Sequence, residues 1–343
     1  MKNGMRISIF TATLILIAAN FSGSALAQKI VLTYANFPPA STFPCVQMEK
    51  WKTEVELRSA GEVEVKTFPG STLLGAKNMM DGVESGVADI GVVVFAYQPG
   101  RFPLLAGVDL PIGFPGSKVA NAVLYDLYQK YQPKSLSKVK VLALFTAPPA
   151  DIMSKKPIKT LADLKGYELR CTGAGVKPLK LLGATPVAMP MSETPEALQK
   201  GIVKGIFSSL DILKDFNFAE SCRYATICHM QTTSFAVVMN MKKWKSLPEK
   251  VKKIMDDLSR EHSLWTGEYI DRHVKESTQW AKKKYGEEVI ILSDSEYRLW
   301  HKKVEPIKDE WLKKTRAKGL PADAFFKDLL DLKAKYESEF ATK

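Results

Sequence analysis

The sequence predicts an α/β protein in two lobes, on three observations. Short Val- and Ile-rich segments alternate with helical ones up to residue 94, which is the order of a parallel sheet covered by helices. A chain of about 316 residues remains after an N-terminal export segment, enough for two bodies rather than one. A helical stretch from Pro248 to Tyr285 contains no proline after Pro248 and one glycine, and at 1.5 Å per residue would extend roughly 55 Å, wider than one small domain.

Lys2 and Arg6 precede an apolar run from Ile7 to Ala19, and Ser24-Ala25-Leu26-Ala27 follows with small residues. A positive start, a short apolar run and an Ala-x-Ala pattern make up a cleaved signal peptide, here residues 1–27. The run is roughly half of the ~20 residues that span a bilayer, which disfavours an anchor helix. Gln28, not cysteine, follows the expected cut, so no lipid anchor is foreseen and the mature chain is expected free in a bacterial periplasm.

Ile30 to Tyr34 reads as a strand and Cys45 to Ser59 as a helix. In Glu62 to Thr67, Val63 and Val65 alternate with charged residues, a second strand. Phe68-Pro69-Gly70-Ser71 turns the chain, Asn78 to Ser85 is a helix, and Asp89 to Val94 is a continuous apolar strand of the kind buried on both faces. Parallel sheets built this way place ligands beyond the carboxyl ends of their strands. Further strands are expected at Val139 to Leu144, Glu168 to Cys171, Thr185 to Ala188, Gly205 to Ser208 and Phe235 to Asn240. Thr194-Pro195-Glu196 opens a helix, with Thr able to cap and Pro tolerated in the first turn. In the long stretch Val251, Met255, Leu258, Trp265, Tyr269 and Trp280 recur near helical spacing. The expected division is 28–150 for the first lobe with part of 236–275, 151–235 for the second with part of 276–343, and 248–285 as the helix spanning both.

The chain carries +12, or +10 without Lys2 and Arg6. Its lysines are dispersed beside Glu and Asp, as at Lys250, Lys252, Lys253 and Lys282 to Lys284, the pattern of solvated helix faces; nucleic acid is not an expected partner. Of the four cysteines, Cys222 and Cys228 are the disulfide candidate, a staple between a helix end and a strand start or else two thiols. Their spacing, without a second Cys/His pair, does not favour zinc, and Cys45 and Cys171 are read as buried thiols. No Gly-x-Ser-x-Gly turn, His-Glu-x-x-His pair or Gly-rich phosphate loop is present, and the histidines are His229, His262, His273 and His301. A catalytic role and a cofactor are therefore not expected.

Several stretches carry a family resemblance across nearly all of the mature chain. They are Phe68-Pro-Gly-Ser-Thr-Leu-Leu-Gly75, Gly82-Val-Glu-Ser-Gly-Val-Ala-Asp89, Asp109-Leu-Pro111 and Leu161-Ala-Asp-Leu-Lys-Gly-Tyr-Glu-Leu-Arg170. The strongest is Leu182-Gly-Ala-Thr-Pro-Val-Ala-Met-Pro-Met-Ser-Glu193 running into Ala197-Leu-Gln-Lys-Gly-Ile-Val-Lys-Gly205. In order and spacing these resemble the extracytoplasmic solute receptors of tripartite ATP-independent periplasmic (TRAP) transporters, the dicarboxylate-receptor type. The resemblance implies a periplasmic binding protein-like fold with crossing strands and a long helix across both lobes. It also implies a monomer that encloses a small organic carboxylate and hands it to the small and large TRAP membrane subunits, with no catalysis of its own.

Arg170 matches the position where the family grips the ligand carboxylate. A guanidinium suits that task because it presents parallel N–H donors and stays charged when buried. Where related receptors often have a second basic residue this chain has Ala150, although Lys155 or Lys77 could substitute. Ser208 stands where an asparagine is frequent, beside Phe207, and Met191 where an aromatic is frequent. Phe37, Phe43, Phe95, Tyr97 and Phe145 are the candidate walls. One arginine against aromatics and methionine implies a monocarboxylate with an aromatic or bulky apolar group, such as an aryl or indolyl 2-oxo acid or an aromatic amino acid. A C4-dicarboxylate or sugar acid is the alternative.

Overall fold

The computed structural model describes residues 29–341; the expected signal peptide and its cleavage site lie outside the described residues. Eleven strands form two sheets: β1 Ile30–Ala35, β2 Val63–Phe68, β3 Ile90–Val94, β4 Val139–Ala147, β5 Asp151–Ser154, β6 Glu168–Cys171, β7 Thr185–Ala188, β8 Gly205–Ser208, β9 Tyr224–Ile227, β10 Thr233–Asn240 and β11 Glu288–Ile291. The first lobe holds the order β2-β1-β3-β10-β4 and the second β11-β9-β5-β8-β6-β7.

The sheets are mixed rather than parallel. In the first, β1 pairs in parallel with β2 and β3, whereas β10 runs antiparallel to β3 and β4. In the second, β6 pairs in parallel with β7 and β8, and β5 runs antiparallel to β8 and β9. The reason is the crossover. β5 enters the second lobe directly from β4 of the first, and β10 returns from β9 of the second, so each lobe receives one strand from its neighbour. The two crossing segments pair with each other: Ala150 N–H donates to Gln231 O at 2.7 Å and Met230 N–H to Ala150 O at 3.0 Å. Buried Asp151 fastens them further, its Oδ1 accepting the backbone N–H groups of Cys228 and His229 at 2.8 Å each.

The Val/Ile-rich strands form where β-branched side chains can be buried. All five residues of Ile90–Val94 are buried, and Leu32 and Tyr34 of β1 turn into the same core against Trp51 and Val55 of the helix Phe43–Arg58. That helix starts two residues before the sequence places it, because Pro44 fits its first turn. β5, β9 and β11, of four residues each, are not among the strands expected from the sequence; β11 is largely exposed.

The long helix runs Glu249–Tyr285, closed by Gly286 at φ 69° with Lys282, Lys283 and Lys284 in the last turn, where cations oppose the helix dipole. Its first half lies on the first lobe. Asn121 donates to Ser263 O at 2.8 Å, His262 meets Gln47 at 2.9 Å, and Asp271 accepts the N–H groups of Ser117 and Lys118 at 2.7 and 3.0 Å, capping the helix Ser117–Tyr131. Gly267 permits that crossing, since a Cβ there would sit 2.7 Å from Lys118 Cα. The second half reaches the second lobe, with His273 on Asp215 at 2.6 Å and Tyr285 donating to Asn217 at 2.8 Å. The C-terminal helix Ala322–Ala341 returns to the first lobe, where Tyr131 donates to Asp328 and Tyr336 to Asp126.

Candidate functional site

Arg170 lies on β6 near its carboxyl end, fully buried. Nε and Nη2 donate to Met189 O at 3.0 and 2.8 Å, and Nη2 also to the Tyr97 hydroxyl at 3.1 Å. Nη1 is buried without a hydrogen-bond partner. An unspent N–H on a buried guanidinium is costly, and the partner that suits it is an anion entering the space it faces.

That space is a cavity of about 50 Å³ between the lobes. Arg170, Thr172, Ser208 and Asp211 border it from the second lobe, and Phe37, Phe43, Tyr97 and Phe235 from the first; Met191 and Phe216 complete it. Arg170 is the one cation lining it among the described residues. The volume is well under the roughly 300 Å³ at which drug-sized pockets begin, because the lobes touch directly here. Tyr97, from the turn after β3, accepts from Arg170 and also from the Met191 N–H at 3.0 Å. Its oxygen thus receives two donors across the cleft while its own O–H remains to be given.

Other bonds also hold the lobes together. Asp215 Oδ2 accepts the Phe43 N–H at 2.9 Å, Lys77 pairs with Glu193 at 2.9 Å on the surface, and the Asp215–His273 pair ties the cleft to the long helix. Gly173 faces Ala96 so closely that a Cβ would lie 3.1 Å from the Ala96 carbonyl oxygen. Asp211 is buried, and its Oδ1 accepts the Ser209 hydroxyl. Burial first, then the charge of Asp215, push its carboxyl up to about 7, against the lowering effect of Ser209. For His273, burial disfavours the charged form, but hydrogen bonding to Asp215 overcomes it and holds the imidazole above its ordinary value.

Of the residues singled out in the sequence, Arg170, Ser208, Met191, Phe43 and Tyr97 come together around the cavity, as does Phe37. Phe95, Phe145 and Phe207 do not line it. Phe145 is stacked on Phe235 at 4.9 Å and edge-on to Phe43 at 6.0 Å, so it sits in the first core against the two rings that do line the cavity. Phe207 alternates with Ser208 along β8 and so faces the second core, beside Cys171 and Gly175. Phe95 packs on Phe102 at 4.4 Å, on the far side of the turn.

Phe95 borders a larger hollow of about 620 Å³ with Phe102, Trp311, Lys177 and Lys314. Both of those lysines are paired with Glu310 at 2.7 Å, and the buried Asp109 of its lining takes the Ser234 hydroxyl; the smaller cavity, with the unpartnered Nη1 of Arg170, is the better site despite its size. Lys155 donates to Leu198 O at 3.2 Å and Lys77 is taken by Glu193; neither lines the cavity, and Ala150 belongs to the crossover.

The disulfide candidate is corrected as well. Cys222 and Cys228 are free buried thiols at the two ends of β9, and an extended strand separates such residues by on the order of 20 Å, beyond any bridge. Burial pushes the Cys222 thiol up to about 12. The sequence reading missed Asp211, Thr172, Phe216 and Phe235. Asp211 had a signal: an acid closing the apolar segment that follows Gly205.

A cavity that exists only between two bodies pivoting on paired crossovers belongs to the two-lobed extracytoplasmic solute receptors. Residues 34–315 match the family described as bacterial extracellular solute-binding protein, family 7, and the chain belongs to that family, the TRAP solute-binding proteins. A TRAP periplasmic solute-binding protein from Desulfovibrio salexigens is 55% identical, with a TM-score of 0.82 over 90% of this chain and 97% of its own; it was solved as an open complex with the C-terminus of a symmetry mate in the ligand-binding site. A marine metagenome TRAP solute-binding protein specific for aromatic acid ligands, in complex with metahydroxyphenylacetate, is 30% identical, with a TM-score of 0.85 over 90% and 99% of the two chains. The C4-dicarboxylate-binding protein of Bacillus subtilis is 25% identical over 291 residues, 82% of each chain. The chain is thus a receptor for small carboxylates and not an enzyme. Among the described residues no helix is long and apolar enough to cross a membrane.

Proposed function

We propose that this receptor captures a monocarboxylate bearing an aromatic or bulky apolar group. The observation that carries the reading is the unspent Nη1 of fully buried Arg170, a residue that lines a cavity whose walls include Phe37, Phe43, Phe216, Phe235 and Met191. The solute carboxylate takes Nη1 and the Tyr97 O–H; its apolar part lies among the aromatics. Ser208 is positioned to give a further hydrogen bond. The aromatic-acid specificity of the marine relative favours the same class.

A C4-dicarboxylate is the second reading, favoured by the Bacillus relative. It lacks a second cation in the cavity wall. The solute enters an open cleft, the lobes turn on the crossovers, and the closed form, a monomer freed from its signal peptide, delivers the solute to the TRAP membrane subunits. Binding favours closure only through its greater affinity for the closed state.

A thermal-shift screen of residues 28–343 tests this with aryl and indolyl 2-oxo acids, aromatic amino acids, C4-dicarboxylates and sialic acid. Solute at a thousand times its Kd adds about 4 kcal/mol of stability, a readily measured rise in Tm. A rise with aromatic monocarboxylates is expected. A rise confined to dicarboxylates replaces the solute class, and none with any carboxylate sinks the reading.

A further inference from the structure

Asp211 borders the same cavity as Arg170 and is 1% exposed. Its Oδ1 is engaged by the Ser209 hydroxyl at 2.5 Å, and no other side chain among the described residues hydrogen-bonds the carboxyl. β6 and β8 are parallel neighbours with Arg170 opposite Ile206, so Arg170 and Asp211 rise from the same end of adjacent strands, where sheets of this kind hold ligands. One small, largely apolar space is therefore bounded by a guanidinium with an unspent N–H and by a buried carboxyl whose one side-chain hydrogen-bond partner among the described residues is Ser209.

A solute carrying only a carboxylate and an apolar body answers the first group and leaves the second with Ser209 as its one side-chain donor, so a further donor on the solute is favourable. A second carboxylate would stand beside both Asp211 and Asp215, with His273 the nearby group that offsets them. A hydroxyl or amino group satisfies Asp211 by sharing a proton with it. Sites built to hydrogen-bond such a group reject analogues that lack it far more sharply than apolar walls sense a missing methylene.

We propose that Asp211 is a specificity-determining residue, selecting aromatic carboxylic acids that bear a hydroxyl or amino group placed to hydrogen-bond it. The proposal rests on the carboxylate-receptor reading above and narrows it from aromatic acids to hydroxylated or aminated ones.

The test is isothermal titration of the mature chain at neutral pH with matched pairs: phenylacetate against 3- and 4-hydroxyphenylacetate, and 3-phenylpropionate against phenyllactate and phenylalanine. In the wild type, at least one hydroxylated or aminated member should bind about tenfold or more tightly than its parent. In Asp211→Ala that ratio should fall to within about twofold. Asp211→Asn preserves the shape of the side chain and guards against a folding defect; it should give an intermediate ratio at an unchanged Tm. Equal binding of every pair by the wild type, or a ratio that survives in Asp211→Ala, overturns this proposal and leaves the receptor for aromatic acids standing. Binding of no aromatic acid overturns both.

Discussion

Asp215, on the second lobe, accepts the backbone N–H of Phe43, on the first, at 2.9 Å. Phe43 opens the helix Phe43–Arg58, whose own cap residue Thr42 makes no side-chain cap bond and whose first turn holds no acid. The missing anionic cap comes from across the cleft, and it can act only while the lobes are together. Asp215→Asn is expected to weaken solute binding by roughly three- to tenfold, the ~1 kcal/mol of a cap interaction, with no change in which solutes bind. Titration calorimetry checks this; altered solute preference would mean that Asp215 acts inside the cavity instead.

Arg170→Ala should lower affinity at least about a hundredfold, since a charge-assisted pair in a closed cavity is worth on the order of 3 kcal/mol. Arg170→Lys should recover little of it, because one ammonium cannot reach Met189, Tyr97 and a carboxylate together. Near-normal binding by either variant, measured by calorimetry, would remove Arg170 from the site.

Tyr97→Phe takes away one hydroxyl that accepts from Arg170 and Met191 across the cleft. A loss of about tenfold in affinity is expected, the ~1.4 kcal/mol of one lost buried hydrogen bond. The fold should be untouched, with a Tm within a few degrees of the parent's.

Gly173→Leu places a branched side chain where even a Cβ would be 3.1 Å from the Ala96 carbonyl. The lobes should then stop short of contact. Small-angle scattering with saturating solute should report the open dimensions, and affinity should drop by tenfold or more. A variant that still closes would show that the strand-end turn yields.

Asp109 is buried with the Ser234 hydroxyl on it at 2.6 Å, and burial raises its carboxyl from the ordinary range to about 7. A carboxyl raised in the folded state binds its proton more tightly there than in the unfolded chain. Its contribution therefore diminishes as pH rises from about 4 to about 7. Asp109→Asn should match the parent in unfolding free energy near pH 4 and exceed it near pH 8, by on the order of 2–4 kcal/mol, as read from denaturant unfolding at the two pH values. Parallel curves across that window would show that Asp109 does not titrate there.

Much of the architecture follows from the sequence alone. The Val/Ile run of β3 needs no context to declare itself, since burial on both faces demands that composition, and the alternation of Val63 and Val65 with charged residues marks β2 as a strand with one buried face. The long helix likewise followed from spacing, because residues 249–285 contain no proline and bring apolar side chains to one side repeatedly. Arg170 was legible because its surrounding motif fixes its place at a strand end.

Tertiary structure alone decided the rest. β5 and β10 pair antiparallel to neighbours that come from distant sequence, so their direction depends on how the chain crosses between lobes. Which aromatics face the cleft was settled by strand alternation: Phe207 and Ser208 are adjacent, yet one enters the core and the other the cavity. Cys222 and Cys228 look near in sequence and are held apart by the strand between them. Asp211 acquires its environment only when Asp215, Ser209 and the long helix enclose it, because desolvation belongs to the assembled surroundings and not to the residue.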